Sequence, residues 1–236
     1  MKPNLIMIPG TLCDNQLFKH QVSGLRNTFL CHVVSNSSSS NLQDLVKNML
    51  HDIKGTFAIM GLSYGGIIAF EILRQAPERI SHLILLNTNY KKPSETTLIN
   101  LQRFIGMACL GDFEKVTTHI LTDAMLHPNQ AKQKELRATV LQMARNVGVD
   151  GFFNQVKAQL GRPDSTEDLK NIKCPTLIIT GREDKICPLQ LHEDMANNIP
   201  NAILKIIENC GHLSTLEQPE QVNTIIKKWY NTLADA

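Results

Sequence analysis

Six short stretches of nearly unbroken apolar residues punctuate the chain: Leu5–Pro9, Leu30–Ser35, Thr56–Met60, His82–Asn87, Thr176–Thr180 and Ala202–Ile207. Runs this short predict strands, and their lack of apolar–polar alternation predicts strands covered on both faces. Segments with helical spacing lie between them. Ser37–Ser40 and Asn41 form a polar loop that supplies an N-cap for a helix over Leu42–Asp52. The run Ile67–Leu73 reads as a second helix, closed by Pro77 because proline cannot continue the ladder. Strands alternating with helices in this way predict a mainly parallel sheet with helices on both faces.

That rhythm stops near Lys91. Leu98, Leu101, Ile105 and Ala108 recur at helical spacing, as do Leu136, Val140 and Met143. Residues 91–162 are therefore expected to form a helical cap inserted into an α/β core made of 1–90 and 163–236. The strand pattern resumes after Pro175, a residue suited to the start of a strand.

The sharpest local feature is Gly61-Leu62-Ser63-Tyr64-Gly65-Gly66, set between the third strand and the helix after it. A serine on so tight a strand-to-helix turn has its hydroxyl pushed out of the sheet, and flanking glycines leave room for the turn. A free hydroxyl is a poor nucleophile at neutral pH, so Ser63 needs a base, and the base needs a carboxylate to orient it. In open parallel sheets functional groups gather at the carboxyl ends of strands. Asp184 directly follows Thr176–Thr180, and His212 directly follows Ala202–Ile207. No other histidine combines a loop after a strand with the order Ser, Asp, His. Glu183 competes with Asp184 for the acid role, but its place one residue nearer the strand and its longer side chain favour Asp184. The oxyanion of an acyl-transfer intermediate calls for two backbone donors. One is expected from Tyr64, the other from Thr11 or Leu12 in the loop after the first strand.

Composition narrows the setting. The 236 residues are 42% hydrophobic and 19% charged, which excludes a disordered chain. A net charge of +2 gives no argument for nucleic acid. No apolar run approaches the roughly 18 residues of a membrane span. The apolar start is too brief for a signal peptide, so a cytoplasmic enzyme is expected. The six cysteines lack metal-ligand spacing and are expected as free thiols, with neither metal nor organic cofactor implied. Cys13, Cys187 and Cys210 fall in the loops expected around Ser63, where a thiol reagent could block activity.

With these residues in place, the chain resembles the α/β-hydrolase fold superfamily, and within it the small capped esterase-like group that includes acyl-carrier-protein methyl ester esterases. The likeness rests on the loop after the first strand, on Gly61–Gly66, on the helical insertion, on Cys174–Asp184, and on Gly211-His212 with Glu217–Glu220 after it. Relatives commonly carry His-Gly where this chain has Pro9-Gly10. The resemblance implies the same triad and a serine hydrolase of carboxylic esters with small to medium acyl chains. Acyl thioesters are an alternative substrate, and a non-catalytic small-ligand receptor is an alternative of another class. Substrate choice is expected to lie in the cap, with Phe104, Met107, Met125, Leu126, Met143, Phe152 and Phe153 as lining residues. Residues 91–162 hold ten Lys and Arg against six Asp and Glu, a net +4 that leaves −2 for the rest. Such a cap could dock an acidic acyl carrier protein through Lys132, Lys134, Arg137, Arg145, Lys157 and Arg162.

Overall fold

A computed structural model describes residues 2–234. Six strands, β1 (Asn4–Ile8), β2 (Leu30–Val33), β3 (Phe57–Leu62), β4 (Ile80–Leu86), β5 (Thr176–Gly181) and β6 (Ile203–Ile207), form one sheet in the order β2-β1-β3-β4-β5-β6. Every neighbouring pair is parallel. Each strand lies within two residues of its predicted span.

Parallel strands need crossovers, and helices supply them. The helices α1 (Lys19–Leu25) and α7 (Pro219–Ala234) lie on one face, while α2 (Leu42–Asp52), α3 (Tyr64–Gln75) and α6 (Leu189–Asn198) lie on the other. The strands serve both cores because successive side chains point to opposite faces. Met7, Met60 and Ile84 pack with Val222 and Ile226 of α7. Ile8, Ile59 and Leu83 pack with Leu45 of α2 and Ile68 of α3. β3 and β5 are buried along their whole length, as their apolar runs predict. β2 and β6 depart from that expectation. They are the sheet edges, and their residues alternate between exposed and half-buried for most of their length.

Helix boundaries follow local chemistry. Asn41 caps α2, its side chain accepting from Asp44 N. α3 ends at Gln75, two residues before Pro77. Between β4 and β5 the long helices are α4 (Glu95–Met107) and α5 (Lys134–Leu160). α5 is broken at Gly148, where φ is 69°. These helices and the turns between them enclose a third apolar cluster that includes Ile105, Val116, Phe152 and Val156, and Leu12 from the core joins it. The helical segment is thereby packed onto the loop that follows β1.

The strand order also creates a crevice. After β1 the chain runs to β2 at one edge, then returns to the opposite side of β1 to form β3. Connections leaving β1 and β3 therefore diverge, and ligands of open parallel sheets bind where such a reversal occurs. The loop after β1 carries Thr11 and Leu12, and the turn after β3 carries Ser63.

Candidate active site

Ser63 occupies a backbone conformation that an L-residue rarely adopts, with φ 55° and ψ −116°. Such a conformation costs on the order of 1–3 kcal/mol and persists only when its surroundings hold it. Those surroundings are identifiable. Ser63 N donates to Leu86 O of β4 at 3.0 Å, and Gly66 N donates to Ser63 O at 2.9 Å. The Thr88 hydroxyl, just past β4, also donates to Ser63 O, at 2.6 Å. A Cβ on Gly61 would lie 2.6 Å from Gly66 N, and one on Gly65 would lie 2.7 Å from the Ile8 carbonyl carbon. The glycines are thus required by close backbone approach.

The turn leaves its chemistry uncommitted. Ser63 is the N-cap of α3, yet its side chain makes no capping hydrogen bond. Among the described residues Ser63 Oγ has no hydrogen-bond partner, His212 included. Hydroxyl–base contacts of this kind often tighten only once substrate is bound. Tyr64 N–H is the first of the helix amides that lack an intrahelical acceptor, and the helix dipole there favours an anion.

Asp184 and His212 meet at the same edge of the sheet. His212 Nδ1 lies 2.8 Å from Asp184 Oδ2, and the two residues are 2% and 5% exposed. Asp184 Oδ1 accepts from Ile186 N at 2.8 Å and Cys187 N at 2.9 Å. Burial alone raises the Asp184 carboxyl, but His212 and the hydrogen bonds from Cys187 N and Asn87 bring it below its ordinary value. The carboxylate is therefore charged and acceptor-only, which fixes the proton of His212 on Nδ1 and leaves Nε2 free. Glu183 is engaged elsewhere, with Oε2 accepting from Cys210 N at 3.0 Å. Asp184, not Glu183, reaches the imidazole.

Several supporting residues escaped the sequence reading. Asn87, directly after β4, donates to Asp184 Oδ2 at 3.0 Å and to Gly211 O at 3.1 Å. The rule that picked Asp184, a polar residue just past a strand end, picks Asn87 as well. Glu217 is buried and brackets His212. It accepts from Gly211 N and Leu213 N, both at 3.1 Å, and from His127 N of the helical segment at 2.8 Å. Burial raises the Glu217 carboxyl, and these three amides oppose the rise. His192 Nε2 accepts from Thr88 N at 3.0 Å, bracing the residue that holds the Ser63 turn.

The two loop residues expected as oxyanion donors separate here. Leu12 N–H donates to Gln155 Oε1 of α5 at 2.9 Å. Gln155 Nε2 in turn donates to Asn36 Oδ1 at 2.7 Å, and Asn36 donates to Pro9 O at 2.6 Å. Leu12, at φ 59°, is thus spent on bracing the loop, a correction to its expected role. Thr11 N–H donates to no protein group among the described residues.

The expected lining residues also divide. Met125, Leu126 and Met143 are buried in the core beside Leu213, next to His212. Phe104 and Met107 pack against the cluster that holds Phe152 and Leu12. Phe153 is 37% exposed, with Lys157 Nζ 5.7 Å from its ring. The cations of the helical segment are partly neutralised. Arg137 pairs with Asp123 and Arg145 with Glu114, each at 2.5 Å.

Cys13, Cys187 and Cys210 are all buried, and burial pushes their thiols up, Cys13 to about 12. They are poor nucleophiles at neutral pH, against the expectation of reactive thiols around the site. Asp184, Cys187 and His212 present potential metal donors within 4.8 Å of one another. Both Asp184 oxygens already accept two hydrogen bonds each and the thiol is protonated, so the group is built to hold the imidazole. Among the described residues no helix is long and apolar enough to cross a membrane.

Known proteins resemble the chain in sequence and fold. The pimeloyl-[acyl-carrier protein] methyl ester esterase of Nitrosomonas europaea is 25% identical over 93% of this chain and 92% of its own length. The 2-hydroxy-6-oxononadienedioate/2-hydroxy-6-oxononatrienedioate hydrolase of Burkholderia vietnamiensis is 26% identical over 73% of this chain, but the match spans only 61% of that protein. Among solved structures, a thermophilic esterase from Thermogutta terrifontis, with malate bound, aligns with a TM-score of 0.90 at 23% identity, covering 98% of this chain and 90% of that one. At that identity the likeness speaks for the fold. A family model describing the alpha/beta hydrolase fold matches residues 42–219, a span running from α2 past His212. With so much of its length matched, the chain belongs to the alpha/beta hydrolase fold family.

Proposed function

We propose that this protein is a serine hydrolase that cleaves carboxylic esters of small to medium acyl chains through an acyl-enzyme intermediate. The observation that carries the reading is the buried Asp184–His212 pair at 2.8 Å, set on the strand edge that also bears the Ser63 turn. In the proposed cycle Ser63 Oγ attacks the ester carbonyl while His212 Nε2 takes its proton. Asp184 holds the imidazole by Nδ1–H and stabilises the imidazolium as it forms. Tyr64 N–H and Thr11 N–H receive the oxyanion, a contribution of about 3–4 kcal/mol per donor. The intermediate collapses, His212 protonates the departing alcohol, and a water activated by the same imidazole releases the acid. The helical segment 91–162 acts as the cap over this centre.

A series of 4-nitrophenyl esters of increasing chain length, with acyl thioesters beside them, tests the reading. Ester turnover by the wild type is expected to fall by at least about 10⁴-fold in Ser63→Ala. Equal rates in the two proteins, or turnover confined to thioesters, would overturn it.

A second reading, hydrolysis of an ester carried on an acidic carrier protein, is favoured by the relative from Nitrosomonas europaea, which matches nearly end to end. Of the six cations named for docking, Arg137 and Arg145 are paired and Arg162 is buried, which leaves Lys132, Lys134 and Lys157 to meet such a partner. Neutralising Lys132 and Lys134 should slow a carrier-linked ester and spare a small soluble one.

A further inference from the structure

Arg162 follows the C-cap of α5, Gly161, and is only 8% exposed, yet it forms no ion pair among the described residues. Its Nε donates to Lys91 O at 3.0 Å and its Nη1 to Gln159 O at 3.3 Å. Both acceptors are neutral carbonyls. Nη2 donates to no protein group among the described residues, so its two N–H groups are unused. The nearby Asp164 forms no ion pair with Arg162 among the described residues, its oxygens accepting from Thr166 N and Lys92 N. A buried guanidinium without a carboxylate is costly, and such groups are normally paired.

The surroundings of Arg162 reach the proposed active centre through Gln159. Gln159, whose carbonyl Arg162 holds, donates through Nε2 to Thr11 Oγ1 at 2.9 Å, on the oxyanion loop. Burial lowers the Arg162 guanidinium, and the charge of nearby Asp164 opposes the shift. Through Gln159 the guanidinium is thus tied to the loop that carries Thr11.

We propose that Arg162 anchors a carboxylate of the substrate, making this enzyme selective for esters that carry a free acid group, such as half-esters of short dicarboxylic acids. A guanidinium edge offers two parallel N–H donors that match a carboxylate, and both gain from the low-dielectric setting. The bound acid would complete the ion pair that the protein leaves open. The inference rests on the serine-esterase reading for its substrate, but not for the anchor itself.

The test compares 4-nitrophenyl hemiglutarate with 4-nitrophenyl pentanoate, which match in acyl length and differ in the terminal carboxylate. The wild type is expected to favour the hemiglutarate. Arg162→Met should lower its kcat/KM about 100-fold, chiefly through KM, with the pentanoate changed less than about three-fold. Arg162→Lys should recover only part of the preference, because a point charge lacks the fork. Equal losses on both esters would assign Arg162 a purely structural role and overturn the proposal, as would a wild type indifferent to the carboxylate. Glutarate binding by calorimetry to Ser63→Ala, with and without Arg162→Met, reads the anchor independently of turnover. Binding that is lost with Arg162→Met supports the anchor even if neither ester is hydrolysed, in which case only the esterase reading fails. No glutarate binding to Ser63→Ala would overturn the anchor.

Discussion

Replacing Gly65 by alanine tests whether the Ser63 turn and the loop after β1 must be held at one fixed separation. The new Cβ would lie 2.7 Å from the Ile8 carbonyl carbon and 2.9 Å from Pro9 O. Comfortable carbon contacts are about 3.5–4.0 Å, so α3 and the end of β1 would have to part by about 1 Å. The obstacle is backbone, and Ile8 is paired in register with Gly61 on β3, so no side-chain rotation relieves it. Overpacking of this kind costs about 1–3 kcal/mol of stability. The catalytic cost is expected to exceed that share. Tyr64 N–H moves with α3 while Thr11 N–H moves with β1, and a displacement of about 1 Å between positioned groups can cost about 100-fold. The assay is kcat/KM on a 4-nitrophenyl ester beside thermal unfolding. Gly106→Ala in α4 is the control, because nothing lies within 4 Å of its new Cβ. It should gain about 1 kcal/mol of helix stability and keep its activity. Gly65→Ala with wild-type kcat/KM and an unchanged Tm would refute the reasoning.

Asp184→Asn should lower kcat by about 10⁴-fold, since an amide can no longer hold the imidazole in its working tautomer, whereas Glu183→Gln should stay within about ten-fold. The two kcat values, measured side by side, check which carboxylate orients His212. Stability should also respond to His192, which burial lowers from 6.5 to about 4. Unfolded chain takes up a proton in that window and the folded protein does not, so stability is full above pH 6.5 and falls by roughly 3 kcal/mol as the pH drops toward 4. His20 and His82, also lowered by burial, act in the same direction, and denaturant titrations from pH 7 to 4 should flatten in part in His192→Gln. Iodoacetamide at pH 7.5 should modify Cys109, the exposed thiol, and leave ester turnover intact. Loss of activity in step with labelling of Cys187 or Cys210 would contradict the sealed state of those thiols.

The sheet was legible because burial on two faces leaves a mark in the sequence itself. β3 and β5 read as apolar runs and are buried at every residue. The Ser63 turn was legible for a similar reason, since the approach of Ile8 to Gly65 forbids any side chain there and so writes a glycine. Residues joined across long separations left no local trace. Gln155 reaches Leu12 across 143 positions, and Asn87 reaches Gly211 across 124. No periodicity points to such a pair, so the engagement of Leu12 could not be foreseen. The strand-end rule could have named Asn87, but only after the rule was applied to β4 as it was to β5 and β6. Residue type also says nothing of how far a helix buries a side chain, as Phe152 at 1% and Phe153 at 37% exposure show. The edge strands misled because an apolar run does not reveal its place in the strand order.

The central claim is a covalent one, and intact-protein mass spectrometry of the enzyme quenched during turnover of a 4-nitrophenyl ester reads it directly. The mass should rise by one acyl group, mapped to the peptide containing Ser63, absent from Ser63→Ala, and accumulated in His212→Gln if acylation still proceeds slowly. Turnover without any acyl adduct on Ser63, or an adduct of equal yield on another residue in Ser63→Ala, would contradict it.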